Sequence, residues 1–119
     1  LLWSTLAGNL VKERTYSRYT REAASLLAKQ IQLGRKKRKW TEHELADRAG
    51  ISRATLQKVE KGDLSVAIGL VFEVAALVGV TLFDKERSAL AAHIARTEDN
   101  LALLPSAVRK RRKPVDDEF

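Results

Sequence analysis

Within "ISRATLQKVEKG", residues 51–62, hydroxyl, guanidinium, carboxamide and ammonium groups follow one another at Ser52, Arg53, Thr55, Gln57, Lys58 and Lys61. These groups supply positive charge and directional hydrogen bonds, the chemistry of recognising a polyanion and the polar edges it carries. Leu56 and Val59 recur at helical spacing on another face. That face can be buried while Arg53, Ala54, Gln57, Lys58 and Lys61 point away from a core.

A helix opened by Ser52 offers phosphate the free backbone N–H groups and positive dipole end of its first turn, beside the Ser52 and Thr55 hydroxyls. Arg53 and Lys58 suit guanine O6 and N7, Gln57 suits adenine, and Ala54 can touch a thymine methyl. An ordinary helical hairpin with a solvated polar face has the same spacing, so the pattern alone leaves both readings open. Charge favours nucleic acid. Residues 1–61 carry 14 Lys/Arg against 6 Asp/Glu, residues 62–108 carry 3 against 6, and the last eleven carry 5 against 3, within a net charge of +7. A basic half beside a mildly acidic one implies a polyanion-facing side and a packing side.

Other chemistry finds little material. The chain has no cysteine, which excludes disulfides, thiolate metal sites and cysteine nucleophiles. His43 and His93 fall on separate predicted helices, without clustered metal ligands, and no glycine-rich phosphate loop is present. An enzyme, a metal site and a cofactor are therefore not expected. "LLWSTLAGNL" is short and broken by Ser4, Thr5, Gly8 and Asn9, and the apolar run from Val66 to Phe83 is interrupted by Gly69, Glu73 and Gly79. Neither is expected to enter a membrane, and cytoplasmic residence, at the nucleoid when bound to DNA, is expected.

The elements that must position the polar set are helices, since no alternating strand pattern persists. Thr20 can cap a first helix to about Lys39, with Ala23, Leu27, Ile31 and Gly34 on one face. Thr41 opens a second through the capping box "TEHE", ending at Gly50. Ser52 opens the third, which stops at Gly62. A fourth is expected from Ser65 through Val78, and a fifth from Asp84 to Leu104 before Pro105. Few residues join the second and third helices, so their backbones must cross closely, which suits Ala46. Gly50 can turn left-handed and Ile51 can plug the corner, which makes residues 42–61 a helix-turn-helix. The expected fold is all-α: an N-terminal arm (1–19), a five-helix domain (20–104) and a tail (105–119) with basic and acidic ends.

The run from Trp40 through "TEHELADRAGISRATLQKVEKG" resembles the helix-turn-helix of the Cro/phage-repressor (XRE) class of bacterial regulators, and "EVAALVGVTLFD" resembles the helix that follows there. The resemblance covers about residues 22–84 and implies a five-helix domain that binds double-stranded operator DNA as a homodimer. It implies that Arg53, Ala54, Gln57 and Lys58 read bases from the major groove. By the same resemblance Arg35 and Glu60 form a structural ion pair. Gln often contacts phosphate at the start of the second helix in that class; here the position holds Glu42, whose carboxylate would repel phosphate and can instead favour the helix start. More narrowly, "ISRATLQKVEKGDLSVAIGLVFEVAALVGVTLFD" with the tail "RKRRKPVDDEF" resembles HipB-type antitoxins. That implies a repressor of its own operon that also inhibits a HipA-like kinase toxin, with Arg111, Arg112 and Phe119 in the toxin-contact tail. A stand-alone XRE regulator and an interaction module that no longer touches DNA are the alternatives.

Thr41, His43, Ser52, Thr55 and Lys61 are further candidates for phosphate contact. Lys36, Lys37 and Lys39, in "RKKRK", either complement the helix dipole or flank bound DNA. Leu90, Ile94, Thr97, Leu101 and Leu104 recur at four- and three-residue spacing. With Leu70, the apolar residues Leu90, Ile94 and Leu101 are the expected dimer interface, since operator half-sites about 34 Å apart call for two copies.

Overall fold

The computed structural model describes residues 14–83, 86, 88–108 and 110. Five helices and no strand lie among them: α1 Arg18–Lys37, α2 Glu42–Ala49, α3 Arg53–Glu60, α4 Ile68–Leu77 and α5 Ala89–Ala102. The chain divides into two units, Leu1–Leu82 with α1 to α4 and Phe83–Phe119 with α5. The tail residues Arg111, Arg112 and Phe119, the first thirteen residues and Asp84 lie outside the described residues.

Side-chain caps set three of the starts. Ser17, not Thr20, opens α1, because the Thr20 backbone N–H donates to the Ser17 hydroxyl at 3.2 Å. Both arms of the Thr41–Glu44 capping box are made, at 3.0 and 2.8 Å. The Thr55 N–H donates to the Ser52 hydroxyl at 3.0 Å. By contrast α4 starts at Ile68 rather than Ser65, with no side-chain cap. Ser65 directs both its N–H (2.8 Å) and its hydroxyl (2.6 Å) to Asp63 Oδ1, a local turn that competes with the helix. These bonds hold the Asp63 carboxyl below its usual range. The fifth helix begins at Ala89 and ends at Ala102, short of Leu104.

The four helices of the first unit end alike. A backbone N–H reaches back five residues at each: Trp40 to Arg35 (3.2 Å), Ile51 to Ala46 (3.0 Å), Asp63 to Lys58 (3.1 Å) and Val80 to Ala75 (2.9 Å). The closure needs a left-handed residue, and Gly50, Gly62 and Gly79 supply it after α2, α3 and α4. After α1 the position falls to Lys39, with φ 60°, so α1 stops at Lys37.

Ile31, Leu45, Ala46, Leu56, Val59, Val74, Ala75 and Val78 form one buried cluster, with Leu27, Trp40, Ile51 and Val66 among the side chains packed on it. The buried face of α1 is Ala28, Ile31 and Arg35, and Ala23 is exposed. Gly34 sits where α1 meets the end of α4: a Cβ there would lie 2.6 Å from the Val78 carbonyl oxygen. Ala46, 2% exposed, sits on α2, which packs against both α3 and α4.

One charged pair lies inside this packing. Arg35 and Glu60 are 8% and 6% exposed. Arg35 donates Nε and Nη2 to the Glu60 carboxylate at 2.7 and 3.0 Å, and Nη1 to the Trp40 carbonyl at 3.1 Å. Gln32 donates to the Glu60 backbone carbonyl at 2.6 Å. The Glu60 hydrogen bonds raise the Arg35 pKa further, so the guanidinium is always charged. Removing one member strands the other charge in a dry site. Glu60→Ala is expected to cost about 3–5 kcal/mol of unfolding free energy in urea titration, against about 0.5 kcal/mol or less for an exposed control such as Lys29→Ala.

Candidate nucleic-acid interface

The turn between α2 and α3 is three residues long, Gly50 to Ser52. Leu56, Val59 and Glu60 anchor α3 in the core. The same rotation leaves Arg53, Ala54 and Lys58 exposed and Gln57 half-buried. These four belong to one eight-residue helix, about 12 Å long at 1.5 Å per residue.

The phosphate candidates divide. Lys36, Thr41, His43 and Arg53 line one open cleft of about 590 Å³, with Arg35 and Glu42 in its walls. Lys37 lines a different groove, with Gln30, Leu33, Arg38, Val78 and Thr81. Lys39 is exposed in the turn after α1, and Lys61 is exposed at the end of α3. The Thr41 and Ser52 hydroxyls each accept a capping N–H, and the Thr55 hydroxyl lies 2.9 Å from that of Ser52. All three retain hydroxyl hydrogen-bonding capacity. His43 is exposed, with Nε2 3.5 Å from Asp47 Oδ2.

Trp40 is a half-buried part of the core's margin, stacked rather than free. The Arg48 guanidinium lies 4.2 Å from its ring centroid and that of Arg38 5.8 Å. Arg38 also donates to the Val78 carbonyl at 2.6 Å, which ties the turn after α1 to the end of α4.

Glu42 stands elsewhere than phosphate repulsion alone suggests. One carboxylate oxygen, Oε1, accepts from Gln57 Nε2 at 3.1 Å and from Arg53 Nε at 3.3 Å. The Gln57 bond, then the Arg53 bond, hold its pKa below the usual glutamate range. The sequence contains the signal: Arg53 and Gln57 are one helical turn apart on α3, and Glu42 opens the helix packed beside it. Leu70 is half-buried on α4, while on α5 Leu90, Ile94 and Leu101 are 38%, 59% and 62% exposed.

A helix-turn-helix family model matches residues 31–85, which takes in the last two turns of α1, all of α2 to α4 and the turn between the two central helices. No curated protein matches the chain.

The Glu42 contacts have a sign in pH. Its folded pKa is depressed, so its contribution is complete above the ordinary carboxylate range and is lost as pH falls through the lowered value. In an NMR titration the Glu42 side-chain carboxyl is expected to show a midpoint below the ordinary glutamate range. Gln57→Ala should return it toward the ordinary value.

Proposed function

From the premise that residues 31–85 are a helix-turn-helix domain of the Cro/phage-repressor (XRE) family of DNA-binding transcription regulators, we propose that the chain is a sequence-specific repressor that occupies operator DNA as a homodimer. The observation that carries this reading is α3 itself: capped by Ser52, held in the core by Leu56, Val59 and the Arg35–Glu60 pair, and exposed along Arg53, Ala54 and Lys58. A helix about 10–12 Å across with its side chains fits a major groove about 12 Å wide. Arg53 and Lys58 address guanine, Gln57 adenine and Ala54 a thymine methyl. Lys36, Thr41 and His43 approach phosphate from the cleft beside Arg53, and Ser52, Thr55 and Lys61 from the two ends of α3. Lys37 and Lys39 are more remote cations that add charge toward the backbone.

Leu70 in the first unit and Leu90, Ile94 and Leu101 in the second are each proposed to contribute to joining two copies; the last three are exposed apolar side chains of one helix. The more specific role, an antitoxin that represses its own operon and inhibits a HipA-like kinase, is supported by the resemblance of residues 51–84 and the tail to HipB-type antitoxins. Arg111, Arg112 and Phe119 would then meet the kinase. The reading as a module that has lost DNA is weakened by Glu42, whose carboxylate is turned onto Arg53 and Gln57.

Footprinting on the DNA upstream of its own gene is expected to protect two half-sites about 34 Å apart, one helical turn. Arg53→Ala and Lys58→Ala should each weaken binding by about 1–3 kcal/mol and relax base preference. Lys36→Ala should weaken all sequences alike and lower the salt slope by about one. Full retention of affinity and preference in the first two variants would remove them from base reading.

A further inference from the structure

The carboxylate of Glu42 joins two side chains that the proposed reading places on bases, and no phosphate contact explains its position. Oε1 accepts one N–H from Arg53 and one from Gln57. Arg53 carries five N–H donors, so binding through Nε leaves its terminal fork free for guanine O6 and N7. The Gln57 amide carries two N–H donors and a carbonyl. With one donor on Glu42, the other donor and the carbonyl remain, which is the pair that adenine N7 and N6 require. The carboxylate therefore takes up only donors that base reading does not use.

We propose that Glu42 is a specificity-determining positioning residue: it holds Arg53 and Gln57 in one shared arrangement and sets its negative charge against unselective backbone binding. This inference rests on the reading of α3 as the base-contacting helix. Three consequences follow from the geometry. Side chains already held lose less rotamer freedom on a matching sequence, which favours the cognate site. A charge in the cleft lined by Lys36, Thr41, His43 and Arg53 opposes any phosphate placed there, whatever the sequence. Because both readers share one oxygen, a mismatch that displaces one releases the other's partner, so the two base preferences are coupled rather than additive. A glutamate carboxylate is ionised at neutral pH, and the two donors keep it so to lower pH, so all three operate there.

The test uses the full chain and does not need a known operator. Wild type, Glu42→Gln, Glu42→Ala and Arg53→Ala are each taken through selection from a random duplex pool. Affinity for the selected site and for a random duplex is then measured by fluorescence anisotropy at fixed salt, with circular dichroism melts for every variant. Glu42→Gln is expected to bind random duplex more tightly and to lower the selected-to-random ratio about tenfold, the effect of one specific base contact. Its selected sequences should show weakened preference at two base pairs and keep it elsewhere. Glu42→Ala should do the same with both readers released. Glu42→Gln and Glu42→Ala should each make the costs of single and double base substitutions at those positions additive. A merely structural role would lower the melting temperature and weaken both DNAs in proportion, leaving the ratio and base profile intact, and that result overturns the proposal. If Arg53→Ala loses selectivity while both Glu42 variants keep it, this inference falls and the base-reading helix stands. A wild type that selects no sequence at all removes the reading of α3 and the proposal with it.

Discussion

The placement of α3 depends on the closure of Arg35 onto Glu60. An eight-residue helix has too little chain to hold its own angle. Its apolar anchors, Leu56 and Val59, fix which side faces inward, but apolar burial is non-directional. The two-pronged bond from Arg35, with Gln32 on the Glu60 backbone carbonyl, pins the last turn of α3 to the middle and end of α1. The third Arg35 donor, to the Trp40 carbonyl, joins the same guanidinium to the segment that feeds α2. One side chain thus sets three segments against each other. A hydrophobic pair of equal volume would fill the space, often at no loss of stability, but would not dictate direction.

Most of the helical order was legible because its signals are local. The Thr41 capping box, the Ser52 cap and the glycines closing α2, α3 and α4 each act within five residues, and a linear sequence displays such spacings directly. The misplacements arose where two local options compete. Ser17 and Thr20 can both cap, and the hydroxyl three residues earlier took the Thr20 N–H. Ser65 can cap or close a turn on Asp63, and the turn won. Lys39 gave no warning of its left-handed backbone, since that position usually asks for glycine. The contacts of Glu42 were legible only in part: the one-turn spacing of Arg53 and Gln57 is local, but their meeting with a carboxylate 11 and 15 positions away on another helix is set by tertiary packing.

The electrostatics of the interface are divided in a way that net charge conceals. Lys36 and Arg53 line the cleft with Glu42 between them, so the local field is weaker than the basic half of the chain suggests. Lys37, one residue along α1, faces a different groove, because consecutive positions on a helix are about 100° apart. The run "RKKRK" is therefore not a single patch. Arg35 is buried, Lys36 faces the cleft, and Arg38 is tied to the Val78 carbonyl.

That partition bears on how rigid the proposed reading surface is. Arg38 and Arg48 both lie against Trp40, and Arg38 also reaches Val78, so the turn between α1 and α2 is braced by two guanidiniums. The left-handed Lys39 is the strained link in that turn, costing on the order of 1 kcal/mol relative to glycine. A strained residue persists only where its surroundings over-determine it. Here the Trp40 N–H on Arg35, the Arg35 donor on the Trp40 carbonyl and the stacked guanidiniums do so together. The brace delivers Thr41 to its cap and Glu42 to the start of α2, within reach of Arg53 and Gln57. The orientation of Arg53 and Gln57, the two side chains proposed to read bases, is thus traceable, bond by bond, to the same buried guanidinium that fixes the helix carrying them.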